Sequence, residues 1–396
     1  MDRIDAVADE LATVQQRLLA TLANPVRTWS PSWERSAASV PRAVLLHGPR
    51  GVGKTQFMLR ALRRMGGFYW SMDHPLLASY SVYEWVTRAF GRGADHVFLD
   101  EIHHAPDWSI HAKALYDAFP GKTIWLSGSS SILMSRGLGD LSRRFLAIAV
   151  PYLSFREYLE LVTGEQLDPI DPFTDDAMDT GAALASRINV LGYFETYLRE
   201  GVRPVGLNDG ATYSQRILQT VQKTLEGDIP YIVSPLGTNH YRLMNAVLGY
   251  LATAPVPTVQ VNSLCREWNV GKEKLYTLLH AMEQTGLLRI IRKRSDHAAM
   301  SVGAKMFLSD PSLYHALSGM EGNSREAYVA CACESAGRTI HAESDERRGD
   351  FIVDNSLTIE VGGPRKGRKN ADWAVRDRID TPSPGVVPLW MLGMMW

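Results

Sequence analysis

Cysteine is scarce, with only Cys265, Cys331 and Cys333 in 396 residues. Three thiols cannot build a disulfide framework, and one C-x-C pair without His or Cys companions lacks zinc-ligand spacing, so reduced, packed thiols are expected. No apolar run approaches the roughly 20 residues that a helix needs to span a bilayer. The opening stretch MDRIDAVADELATVQQ has no signal-type apolar core, which predicts a cytoplasmic chain without a membrane partner. Neither sign of charge is in excess, since 42 Lys and Arg face 43 Asp and Glu. That balance excludes a polycation that holds nucleic acid through its overall field, and any such contact needs a local patch. Internal repeats and low-complexity tracts are also absent. What is present is a 45% hydrophobic composition, ample for two to three domains of about 150 residues with real cores.

Apolar residues at Ile4, Val7, Leu11, Val14, Leu18 and Leu22 recur every three or four positions and lay one stripe along a helix. A Pro- and Ser-rich connector follows, from Ser30 to Pro41. The short apolar runs Ala43–Leu46, Phe68–Trp70, His96–Leu99, Thr123–Leu126 and Phe145–Val150 then alternate with helical stretches, as in a parallel sheet with crossover helices. From Ser154 to about Thr253 the period is helical, broken by an Asp/Pro-rich surface loop over Asp168–Asp179, and Pro255 and Pro257 punctuate the chain before its last third. The expected division is an N-terminal helix and connector (1–40), a nucleotide-binding core (41–165), a helical lid (166–254), a winged helix-turn-helix (255–303) and a mixed C-terminal domain (304–396).

The strongest motif is Gly48-Pro49-Arg50-Gly51-Val52-Gly53-Lys54-Thr55, between the apolar run AVLLH and the helix-compatible QFMLRALRRM. It fits G-x-x-x-x-G-K-[ST] in the strand–loop–helix setting that a P-loop requires. Glycines let backbone N–H groups turn inward around phosphates, and the helix N-terminus adds the positive end of its dipole. Lys54 is expected to charge the β- and γ-phosphates of ATP and Thr55 to coordinate Mg2+. A second strand, Val97-Phe98-Leu99, ends in Asp100 and Glu101. Asp100 suits the Mg2+ shell, and Glu101 suits the base that orients and deprotonates the attacking water. A third run, TIWLSGSSS, ends in small polar residues, with Ser127 and Ser129 as candidate γ-phosphate sensors; the alternative is a helix entry capped by Ser130 or Ser131. Downstream, Arg136, Arg143 and Arg144 are candidates for an arginine finger.

Taken in order, HGPRGVGKT, LDEIHHAPDW, WLSGSSSIL, LSRR and LSFREYL resemble the prokaryotic AAA-type ATPase family that joins this core to a C-terminal domain of unknown function. FETYLREGVRP and VVPLWMLGMMW extend the likeness over nearly the whole chain. The resemblance implies an AAA-like α/β core with ATP and Mg2+ at the positions named, and Arg144 as the arginine closing the family's L-x-G-R stretch. Here Arg143 replaces the Gly of that stretch, and the Pro that precedes L-S-F-R-E is displaced to Pro151. His103 stands where the family has Gln and reads as a capping or surface residue.

Residues Thr258 to Arg294 read as strand (TVQV), helix, turn, helix and strand–wing, the order of a winged helix. Over Pro255–Met300, Arg266, Lys272, Lys274, Arg289, Arg292, Lys293 and Arg294 face Glu267, Glu273, Glu283 and Asp296, a local excess of three positive charges. Lys272, Lys274, Arg292, Lys293 and Arg294 could meet the phosphates of double-stranded DNA; a lid or protein contact is the alternative. Further on, Glu326, Asp350 and Glu360 occur in the order of the PD-(D/E)xK nuclease core, a restriction-endonuclease-like α+β fold. The lysine of that motif falls on Gly362, which makes the site degenerate, although Lys366 or Lys369 could reach back. The aromatic and Met-rich tail Pro388–Trp396 predicts a final buried strand or an interface. Together these features predict a Mg2+-dependent ATPase that acts as a homo-oligomeric switch or motor on DNA or a protein. An ATP-regulated nuclease and a slow, STAND-like signalling switch are the rivals.

Overall fold

The apolar stripe of the first helix, α1 (Arg3–Ala20), is accounted for by a sheet. Ala8 and Leu11 are buried in one cluster with Trp70, Leu99 and Leu126. In this computed structural model the described residues are 3–22, 27–31, 40–129, 141–254, 261–294, 304–345 and 347–396. The chain divides into two compact units, Met1–Pro151 and Tyr152–Trp396.

In the first unit, strands β1 (Ala43–His47), β2 (Phe68–Ser71), β3 (His96–Asp100), β4 (Thr123–Gly128) and β5 (Leu146–Ala149) form one sheet in the order β2-β3-β4-β1-β5. Every pairing is parallel, so the strands are buried and read as continuous apolar runs. Helices α2 (Lys54–Met65), α3 (Val82–Gly91) and α4 (Trp108–Ala118) supply crossovers. Trp125 on β4 fixes one of them: Phe57 of α2 stacks on its ring at 6.0 Å, and Phe98 of β3 meets it edge-on at 5.4 Å. The exposed edge of β2 is held by α1, where Gln15 accepts from Tyr69 N at 2.8 Å and donates to Gly67 O at 3.2 Å. Register pairs Ser71 with Asp100, Leu99 with Leu126 and Leu46 with Ser127. The ends of β1, β3 and β4 therefore open on one edge, where ligands of parallel sheets bind.

The second unit begins with α5 (Phe155–Thr163), capped by the reciprocal Ser154–Glu157 pair. The expected core boundary at 165 placed this helix with the nucleotide-binding sheet. Phe155 packs on Phe194, Tyr197 and Trp390, and the division into compact units falls at Pro151. Helices α6 (Ala177–Arg187), α7 (Val190–Thr196), α8 (Tyr213–Lys223) and α9 (Thr238–Thr253) follow the helical period of the sequence. Next come α10 (Val261–Glu267), α11 (Lys272–Gln284) and an antiparallel hairpin of β6 (Leu288–Ile291) and β7 (Lys305–Leu308). Most of the expected TVQV strand lies outside the described residues, and its Val261 opens α10. The hairpin's second strand falls beyond the expected boundary at 303, because β6 needs it as a partner. Helices α12 (Ser312–Ala316) and α13 (Glu321–Ser335) precede a second sheet of β8 (Ile340–Ala342), β9 (Phe351–Val353), β10 (Leu357–Gly362), β11 (Trp373–Arg376) and β12 (Val386–Pro388). Its order is β12-β11-β10-β9-β8, antiparallel across β8/β9 and β9/β10 and parallel elsewhere.

The tail is buried as expected but is not a strand beyond Pro388. Leu389–Met394 make a 3-10 turn with every side chain inside, and Trp396 Nε1 donates to Tyr152 O at 3.2 Å. Cys331 and Cys333 are buried free thiols, and burial raises the pKa of both. Among the described residues no helix is long and apolar enough to cross a membrane.

Candidate functional site

The loop between β1 and α2 needs its glycines for two separate reasons. A Cβ on Gly48 would sit 2.5 Å from Val150 O, and Gly53 has φ +98° as it enters the helix. The first turn of α2 carries no acidic side chain, so its dipole end is left for an anion. Lys54 is buried, and its Nζ donates to Gly48 O at 2.8 Å and Pro49 O at 3.0 Å, folded over the loop it would serve. Arg27, just before the connector, braces the loop by donating to Val52 O at 2.6 Å and Pro151 O at 3.0 Å.

Asp100 lies 2% exposed at the end of β3 and gathers four donors. Thr55 Oγ1 and Tyr69 OH reach Oδ2 at 2.6 and 2.7 Å, Glu101 N reaches Oδ1 at 3.0 Å, and Ser127 Oγ also donates to Oδ1. The Thr55–Asp100 contact joins the P-loop to the acidic strand and places together the two groups that would hold Mg2+. Tyr69 was not singled out in the sequence. Burial, then the Asp100 charge beside it, raises its phenol pKa well above the ordinary value and keeps it a donor. Ser127 is thus committed to Asp100. Ser129, the other candidate sensor, is buried with no hydrogen-bond partner for its Oγ among the described residues. Ser130, Ser131 and Arg136 lie outside those residues.

Glu101 occupies the left-handed region at φ +48°, uncommon for a residue with a side chain. Its Oε1 lies 4.0 Å from Arg50 Nη1 and its Oε2 lies 3.5 Å from His103 Nδ1. His103 is a correction to the sequence reading. It is neither a cap nor a surface residue: its side chain is fully buried, and burial, followed by the charges of His104, Arg50 and Lys54, pushes its pKa down to about 3. The ring is therefore neutral at physiological pH. Arg144 forms a fork with Asp117, Nε to Oδ1 and Nη2 to Oδ2 both at 2.9 Å, while Arg143 is exposed.

Residues 40–159 match the family described as an AAA domain. That match covers 120 of the 396 residues, including the loop after β1 and the two acids that follow Leu99. Among solved structures, the chain is similar to a single-residue variant of RuvB from Thermotoga maritima, 14% identical over 78% of this chain and 93% of that one, with a TM-score of 0.30. It is also similar to a chain from a structure on katanin self-assembly, 18% identical over 48% of this chain and 79% of that one, with a TM-score of 0.28. Both scores are too low to establish a shared overall architecture. No curated protein matches the chain.

Outside the matched residues, the DNA candidates are placed unevenly. Lys272 is exposed at the start of α11 and Lys274 is half-buried. Arg292 is spent on Glu283 in a two-pronged pair at 3.0 and 3.1 Å, and Arg294 donates to Asn355 O at 3.0 Å. Lys293 bridges Ala342 through its backbone, so the chain leaving β6 runs alongside β8 instead of standing free.

Glu326 on α13, Asp350 before β9 and Glu360 on β10 do come together. Three lysines close on them. Lys305 Nζ lies 2.6 Å from Glu326 Oε2 and 3.2 Å from Asp350 Oδ1, while Lys366 and Lys369 meet the two oxygens of Glu360 at 2.7 and 3.1 Å. Burial raises the Glu326 pKa; it would do the same to Asp350, but Lys305 and the Val361 N–H overcome it and lower that pKa. Lys305, on β7, was missed in the sequence. Lys366 answers the vacancy at Gly362: a Cβ there would meet Lys366 Cδ at 2.3 Å, so the lysine stem already fills the space of a side chain at 362.

Proposed function

We propose that this chain is a Mg2+-dependent ATPase of the AAA type, acting as a conformational switch or motor on a DNA or protein partner. The Thr55–Asp100 hydrogen bond at 2.6 Å carries the reading, because it sets a hydroxyl and a carboxylate side by side next to a buried lysine and an uncapped helix N-terminus. These residues fit a magnesium nucleotide: Lys54 would leave the carbonyls of Gly48 and Pro49 for phosphate oxygens, and Thr55 and Asp100 would hold the cation. Bound MgATP supplies the phosphoanhydride and the cation that neutralises it. Glu101 takes the proton of the attacking water, and Tyr69 and Ser127 keep Asp100 oriented. At the C-terminal acids three ammonium groups already balance three carboxylates, which supports placing the chemistry at the P-loop rather than there. Lys54→Ala is expected to abolish ATP binding in a calorimetric titration with Mg2+. A variant that binds with wild-type affinity sinks the assignment.

The active form is a homo-oligomer in which Arg144 leaves Asp117 to reach the nucleotide of a neighbouring copy. Arg144→Ala and Glu101→Gln proteins, each inactive alone, regain phosphate release when mixed, because a mixed interface pairs an intact base with an intact arginine. No recovery on mixing rules out action in trans.

For a DNA partner, Lys272 and Lys274 offer the unspent charge, since Arg292 is held by Glu283. Duplex affinity should then fall with salt, log K declining by about 0.9 per phosphate contact for each decade of salt. Charge reversal at Lys272 and Lys274 should weaken all duplex sequences together. A flat salt titration turns this module into a lid or a protein contact.

A further inference from the structure

At the edge of the nucleotide site stands a group of ligand-type side chains that shares one member, Glu101, with ATP hydrolysis. Glu101, His103 and His104 each offer one ligand atom, and these atoms all lie within 4.8 Å of one another. His103 Nδ1 and Glu101 Oε2 are already 3.5 Å apart. Two ligands of a tetrahedral zinc ion, with bonds of about 2.0–2.1 Å, stand about 3.4 Å apart, so this edge is preformed. His104 is next in the same 3-10 turn, with its ring centroid 4.3 Å from that of His103, and it is exposed. Two imidazoles and one carboxylate form a donor set suited to zinc, with the fourth position open to water or a phosphate oxygen. Glu101 stands at φ +48°, with its carboxylate against His103.

We propose that Glu101, His103 and His104 form a zinc site whose occupation silences the ATPase. The logic is competition for one carboxylate. A zinc ion on Glu101 withdraws the electron pair that would accept the proton of water, while Lys54, Thr55 and Asp100 remain able to hold nucleotide. The site thus converts a base into a ligand and stops turnover without releasing ATP. The inhibitory half of this proposal rests on the ATPase reading above; the metal site itself does not.

The test uses the full chain, free of any polyhistidine tag, in excess Mg2+ so that the P-loop cation position is not open to the probe. Co2+ is added first, because tetrahedral cobalt absorbs visibly whereas six-coordinate cobalt hardly does. One equivalent with tetrahedral absorption is expected, and His104→Ala, which alters an exposed side chain, should lose it. Zn2+ should then stop phosphate release by the wild type while a fluorescent ATP analogue stays bound, and His104→Ala should need at least about tenfold more Zn2+ to lose half of its own uninhibited rate. Equal cobalt spectra from wild type and His104→Ala, or no tetrahedral spectrum from either, overturns the site. Cobalt binding with phosphate release untouched by Zn2+ overturns the inhibitory role. Absence of hydrolysis by the metal-free wild type is instead a failure of the ATPase reading, and the cobalt spectrum still decides the site.

Discussion

Glu101→Gln should bind MgATP as the wild type does and release phosphate about 10²–10⁴-fold more slowly, the range that a positioned general base contributes. Gln keeps the size and the hydrogen-bonding reach of Glu but cannot take a proton. Nucleotide affinity is untouched because the groups assigned to phosphate and cation are Lys54, Thr55 and Asp100, and the backbone N–H of residue 101 that donates to Asp100 is the same in Gln. Single-turnover phosphate release beside an equilibrium titration separates the two effects. Wild-type turnover in Glu101→Gln would remove the base from this residue altogether.

The largest expected loss of stability lies in the second unit. Arg203 and Asp310 are 5% and 1% exposed in their side chains and meet at 2.5 Å, Nε to Oδ2. Burial opposes the guanidinium charge, and Asp310 more than compensates for it. The other carboxylate oxygen of Asp310 accepts from Ser312 N at 2.8 Å and Ser312 Oγ at 2.6 Å, and that hydroxyl meets Tyr213 OH at 3.0 Å. Asp310→Ala therefore strands a buried cation and strips a turn of its acceptor. A loss of about 3–5 kcal/mol is expected in denaturant unfolding. The double variant Arg203→Met with Asp310→Leu should lose less than Asp310→Ala alone, since removing both charges leaves no ion without its counter-ion. A loss below 1 kcal/mol for Asp310→Ala would show the pair to be solvated.

What was legible in the sequence is what consecutive residues encode. A strand, a glycine loop and a helix write the positions of Lys54 and Thr55 into one short stretch, and an apolar strand ending in two acids does the same for Asp100 and Glu101. Tyr69 meets Asp100 only because β2 lies beside β3, a pairing that no local pattern specifies. Lys305 escaped notice for a similar reason: it stands on a short strand 21 residues before Glu326, and only the packing of β7 delivers its ammonium to that acid. His103 was misread because a pair of histidines after an acidic turn looks solvent-facing, whereas the 3-10 turn rolls the first of them inside. Arg292 looked like a free wing residue, and its engagement by Glu283 depends on how the hairpin leaves α11. Hydrophobicity left the tail as either a buried strand or an interface; it is buried, and its 3-10 conformation was not legible because burial alone does not select a backbone conformation.

The occupation of the Gly362 side-chain volume by Lys366 limits how this domain can change. A lysine introduced at 362 does not restore the spacing of the nuclease motif; it collides with a stem that is already there. The two lysines are alternative tenants of one volume, so passage from one arrangement to the other requires two substitutions, with position 366 shortened before or together with the gain at 362. A library that varies position 362 alone should therefore return small residues, whereas one that varies 362 and 366 jointly opens a second class of solutions in which the ammonium arrives from the strand itself.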